Sequence, residues 1–361
     1  MKEEVLALDT ETNGLNPLEN KIIMLQIGTK TDQYVFDTRG LDLKKHFRCL
    51  LEREDIQFVG HNIKFDYNML KQYSIILQNV YDTMLADMVI YNDEYSPKWV
   101  MTNKRFSLGG VYYHHFNKTV EKETRLEFTN WGATPFTDEQ IKYGALDVVY
   151  PLNIKEKQDV LTAELNTSRC NRLEFATLLS VGDMEYNGFY LDPNKWKEAY
   201  LFHKRELEAS FLKLDKTLIK DFPTYEQKAY QLSLFKVVER SRLTDVNWNS
   251  SLQVKTLLNK EYNIYPEDKD GKASVGRDAL NLLFEKPDII LELITFKEHE
   301  KAVSSFGEKF LNKHLYKDSR LRSNFNQIVG TGRMSSRSPK KLGLYVVIHK
   351  ENWVNCWKAV S

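Results

Sequence analysis

The chain has 361 residues, 42% hydrophobic and 28% charged, enough to bury sizeable cores and, by length, to form two domains of ordinary size. Its 51 Lys and Arg nearly balance its 50 Asp and Glu, so the net charge of +1 excludes a uniformly acidic or basic protein. The cysteines Cys49, Cys170 and Cys356 are odd in number and lack CxxC or Cys/His spacing; they read as free thiols in a reducing compartment, which excludes a disulfide scaffold. There is neither a signal-peptide pattern nor a run of about 18 apolar residues, so a soluble cytoplasmic chain without a membrane partner is expected.

The first third alternates strand and helix patterns. Residues 4–10, 22–29 and 33–37 read as three consecutive strands separated by turn formers such as Asn13-Gly14 and Thr31-Asp32. Helical spacing follows over 43–53, then a short strand over 57–61 and a helix over 64–73, so a three-stranded meander gains further strands through helical crossovers. From Asp82 onward the pattern is helical. A long helix capped by Thr137, with Asp138 and Glu139 in its first turn, runs past Tyr143 and Asp147 toward Lys157, and Pro151 predicts a kink or break in it. Beyond about Asn166 helices are expected over 172–186, 194–220, 250–262, 277–283 and 289–315, with loops over 221–230 and 265–272. From Lys313 to Lys341 eight Lys and Arg stand against one acid, Asp318, with Phe325, Asn326 and Gln327 among them; that suits a phosphate backbone.

Asp9 and Glu11 are two apart on the first strand, so both point to one face and Thr10 and Thr12 to the other. Asp66 falls just inside the helix after a later strand, where, taken alone, a preference for the helix N-terminus explains it better than a metal site does. Tyr143 and Asp147, four apart, share a helix face, as ordinary helix pairs also do. Together the four carboxylates would repel one another at one sheet edge unless divalent cations neutralised them, and hard oxygen ligands suit Mg²⁺ or Mn²⁺. Two such ions about 4 Å apart can activate water and stabilise the leaving oxygen of a phosphoryl displacement.

The stretches DTETNGL (9–15), HNIKFD (61–66) and YGALD (143–147) resemble the three motifs of the DEDD exonuclease superfamily in its tyrosine-containing branch. The resemblance implies an α/β ribonuclease-H-like domain, a mixed sheet flanked by helices, that binds two divalent ions. Asp9 would bridge both, Glu11 and Asp147 would complete one site, Asp66 would serve the other partly through water, and Tyr143 would orient the attacking water. It also implies DNA contacts from Thr10, Leu15 and Asn62, with Leu15 wedged between terminal bases, and a structural or substrate-side His61. Residues 174–192, EFATLLSVGDMEYNGFYLD, are similar to the start of the thumb in family A DNA polymerases. Residues 324–339, NFNQIVGTGRMSSRSP, resemble a family A segment whose Arg lies against primer and template; Arg333 would bind DNA, with Asn326 and Gln327 nearby.

The implied organisation is an exonuclease domain over 1–165, a mainly α-helical thumb-like domain over 166–339, and a non-family tail over 340–361. After Pro339 the resemblance stops, and after Asp318 the only acid is Glu351, too few for a two-metal polymerase site. The tail is expected to derive from out-of-frame or intervening sequence. The resulting expectation is the proofreading and thumb part of a family A polymerase from a phage or bacterium. It would take single-stranded DNA 3′ ends in the exonuclease site and duplex along the thumb, with a separate polypeptide carrying palm and fingers as a candidate partner. A stand-alone ribonuclease of the same superfamily and a non-catalytic DNA-binding fragment are the alternatives.

Overall fold

The computed structural model describes residues 4–91, 105–120, 135–226, 230–233, 236–239, 243–329 and 334–338. Arg333 and the tail 340–361 lie outside the described residues. The chain divides into two compact units, the first running to Phe189 and resuming at Arg322, the second spanning Tyr190–Leu321.

In the first unit β1 (Val5–Thr12), β2 (Ile22–Gly28) and β3 (Gln33–Asp37) form the antiparallel meander that the turn formers predict. Helix α1 (Leu43–Leu51) carries the chain to β4 (Gln57–Gly60), which pairs parallel with β1; α2 (Lys64–Lys71) carries it to β5 (Val80–Asp82), parallel with β4. The sheet order is β3-β2-β1-β4-β5. All seven residues of β2 are buried, as an apolar strand covered on both faces requires. Strand β5 is not expected from the sequence, because three residues carry no readable period. Asp82 then caps α3 (Thr83–Ile90), accepting from the Met84 and Leu85 amides. After α4 (Leu108–Phe116), the 27-residue α5 (Asp138–Glu164) packs on the sheet, and α6 (Ser168–Asn187) packs on α2. Thr137 and Gln140 form a full capping box at the start of α5. Pro151 does not end this helix; it is buried inside it, as are Val148, Leu152 and Ile154 nearby. The core runs from Ala7 and Leu8 through Phe58, Tyr67 and Leu70 to Leu152 and Leu178.

The second unit is mainly helical. Its long helices are α7 (Pro193–Asp221) and α10 (Asp288–Phe306), with α8 (Ser251–Glu261), α9 (Arg277–Leu282) and α11 (Glu308–His314) beside them. The single helix expected over 289–315 is two helices: Gly307 is extended, and a Cβ there would lie 2.8 Å from the Val303 carbonyl oxygen. Beyond Asn166, where the sequence predicts helices and loops, strands also occur: Tyr230–Ser233 pairs antiparallel with Lys236–Glu239, and in the first unit β6 (Asn324–Asn326) pairs with β7 (Ser335–Ser338). Buried Asp215 organises the second unit, accepting from the Leu243 and Thr244 amides, the Thr244 hydroxyl and Trp248 Nε1, so four donors of one loop converge on one carboxylate. No helix among the described residues is long and apolar enough to cross a membrane.

Candidate active site

Asp9 and Glu11 stand on the same face of β1, near its C-terminal end. Across the ladder they face Gln26 and Met24 of β2. Helix α5 covers this face, coming closest at Gly144, where an added Cβ would lie 2.9 Å from Met24 Sδ and 3.0 Å from Gln26 Nε2. Tyr143 and Asp147 flank that contact. The result is a group in which one carboxylate oxygen from each of Asp9, Glu11 and Asp147 lies within 4.8 Å of the others. Asp9 and Glu11 are half-buried and Asp147 is 8% exposed. Three carboxylates this close fit a hard divalent cation by number and by ligand chemistry.

Asp66 is not in that group. It lies on α2, is 3% exposed, and accepts at 2.5 Å from the hydroxyl of Thr10, which points to the opposite face of β1 from Asp9. Burial raises its carboxyl above the usual range, the Thr10 hydrogen bond lowers it in part, and Asp82 adds to the rise. Asp82 is fully buried and accepts from the Asn62, Met84 and Leu85 amides, yet burial still pushes it up to about 6.

With this geometry in view, residues 1–162 match the 3'-5' exonuclease family of DNA polymerase A type. Over these residues the chain is similar to a 3'-5' exonuclease domain. Over the longer chain, DNA polymerase I of Aquifex aeolicus (strain VF5) is 27% identical across 354 residues, covering 92% of this chain and 53% of the relative. DNA polymerase I of Borreliella burgdorferi is 24% identical across 354 residues, covering 94% and 35%. The chain thus spans about half the length of these relatives or less. Among solved structures, the POL domain of Pol1 from M. smegmatis, in complex with DNA primer-template and dNTP, superposes with a TM-score of 0.64 at 17% identity, over 92% of this chain and 51% of that one. The fold is the ribonuclease-H-like α/β exonuclease domain followed by helices that the sequence predicts.

Around the exonuclease site, the residues expected to meet substrate fall into two groups. Leu15 is 83% exposed and joins no core. Asn62 has a positive φ of 60° and donates its amide to Asp82. Thr10 is 6% exposed with its hydroxyl spent on Asp66, so its side chain supports an acid where a DNA contact was expected. Gln327 donates its amide to the Glu174 carbonyl and carboxylate, and Asn326 is half-buried on β6. His61 bridges Thr83 Oγ1 at 2.9 Å and the Phe106 carbonyl at 3.1 Å, a structural placement. Sequence reasoning passed over Gln26, Gly144 and Asp82. A lone glutamine in the otherwise apolar IIMLQIG was the available signal for the first.

Proposed function

We propose that the exonuclease domain hydrolyses the 3′-terminal phosphodiester bond of DNA, releasing nucleoside monophosphates, as the proofreading part of a family A DNA polymerase. The convergence of Asp9, Glu11 and Asp147 carries the reading. Asp9, Glu11 and Asp147 would hold a divalent cation, Mg²⁺ or Mn²⁺ by ligand hardness, and Asp66 would serve a second through water. When bound, such cations supply an activated water and charge stabilisation of the leaving oxygen.

The chain's own groups then divide the work. Tyr143, one helical turn before Asp147 on the same face, would orient the attacking water through its phenol oxygen. Asp147, fixed in a helix that Gly144 seats against the sheet, keeps its carboxylate aligned with Asp9 and Glu11. Leu15, exposed beyond the strand end, offers an apolar surface against which a terminal base can stack. The basic residues around β6 suit a duplex backbone, and the second unit reads as a thumb.

The test is degradation of a 3′-labelled single-stranded DNA oligonucleotide in Mg²⁺, with EDTA as control. Asp9→Ala and Asp147→Ala should each lower the rate by at least about 100-fold, given the size of metal-ion effects, with circular dichroism unchanged. Full activity in either variant would sink the proposal, and faster cleavage of RNA than of DNA ends would replace DNA with RNA as the substrate.

A further inference from the structure

Gln26 lies at the centre of β2, is 0% exposed, and has no hydrogen-bond partner for either amide atom among the described residues. A buried amide left so costs on the order of 1–3 kcal/mol in a stable fold. Its surroundings are specific. In the ladder Gln26 stands opposite Asp9, and directly opposed residues share a sheet face with Cβ atoms about 5 Å apart. From above, Gly144 of α5 closes on it, with only 3.0 Å between Gln26 Nε2 and the position of a Cβ at that glycine. A larger residue at 144 would fill the space the amide occupies. Gln26 is thus enclosed on the face of the three carboxylates, between Asp9 and the turn of α5 that carries Tyr143 and Asp147.

We infer that Gln26 is a positioning residue of the exonuclease site, its Nε2 donating to the Asp9 carboxylate when that carboxylate turns to bind a divalent cation and holding it in that rotamer. The chemistry favours this use. Groups that hydrogen-bond the ligands of a metal fix their orientation, and removing them typically weakens metal binding by 10–100-fold. A carboxylate is the strongest acceptor that face offers, and a bond from a neutral amide leaves its charge intact for the cation. A lysine in the same place would compete with the cation; an apolar residue would pack better and orient nothing. The inference rests on the reading of Asp9, Glu11 and Asp147 as a cation site.

The experiment compares the full chain with Gln26→Leu and Gln26→Met, which keep volume and remove the amide. Mn²⁺ binding is measured by calorimetry, thermal unfolding in EDTA, and kcat and KM on a single-stranded DNA oligonucleotide. Expected are an unchanged or raised Tm, a Mn²⁺ Kd at least about tenfold weaker, and a lower kcat with KM for DNA little changed. A purely structural glutamine would give the reverse, a lower Tm with unchanged Mn²⁺ affinity. That result, or unaltered Mn²⁺ binding in both variants, overturns the inference. Asp9→Ala is run alongside: if it binds Mn²⁺ like the unaltered chain, the cation-site reading fails, whereas lost binding there with normal binding in Gln26→Leu refutes the role of Gln26 alone.

Discussion

Gly144 decides how close α5 comes to β2, and so where Tyr143 and Asp147 stand. A methyl group there meets the side chains of Met24 and Gln26, both fully buried. Gly144→Ala is therefore expected to cost about 1–3 kcal/mol by overpacking and, by displacing Asp147, to lower kcat for DNA degradation at least about tenfold with KM for DNA little altered. An unchanged kcat would show that the helix can shift without moving the acid. Asp82 sets a pH dependence. Burial pushes its folded carboxyl up to about 6, above the ordinary aspartate range, so the folded state binds this proton more tightly than the unfolded chain does. The stabilisation from this proton is therefore gained as pH falls through 6 toward 4, is lost as pH rises through 6, and no longer changes above about 7. In Asp82→Asn, whose amide oxygen can still cap α3, this difference should be absent. Urea unfolding at pH 5 and pH 7.5 should show the unaltered chain gaining on the variant by about 1.4 kcal/mol at the lower pH.

Elements were legible wherever one period ran for several turns or strands. The meander β1–β3, the crossovers α1 and α2, and the capped start of α5 follow from the sequence because local patterning and turn chemistry agree there. The failures are equally physical. Strand β5 is three residues long and fully buried, and the break at Gly307 lies inside an unbroken helical period. Of the kink or break that Pro151 predicts, the break does not occur, since α5 continues past it. Proline removes the amide that would bond to the carbonyl four residues back, which is that of Asp147. Of the site, Asp9, Glu11, Tyr143 and Asp147 could be read from spacing along single elements. The bond between Thr10 and Asp66, 56 residues apart, and the enclosure of Gln26 could not, because each depends on how two elements pack.

At the scale of the molecule, the first unit is discontinuous in sequence. Glu185 near the end of α6, 8% exposed, accepts from Lys64 Nζ and Asn68 of α2 and from the Phe325 amide of β6; Lys64 also donates to the Phe325 carbonyl. Arg322 donates to the Tyr186 carbonyl and Gln327 to Glu174. The boundary expected near residue 165 falls in the short connection between α5 and α6, whereas the compact unit extends to Phe189 because these bonds tie α6 to α2 and β6 to both. A chain ending at residue 189 keeps the three carboxylates but loses the partners supplied from 322–327. It is expected to degrade single-stranded DNA with a Tm lower by several degrees, since each lost bond costs about 1 kcal/mol; calorimetry on the two chains checks this, and an equal Tm would show that these bonds contribute nothing net. The arrangement also has a consequence in time. During synthesis Glu185 emerges from the ribosome about 140 residues before Phe325, so the nascent exonuclease domain exists for several seconds with this buried carboxylate lacking one of its donors. The second unit must be made, and its two ends brought back together, before the first can close. Of the two units, the nuclease body is begun before the helical one and closed after it.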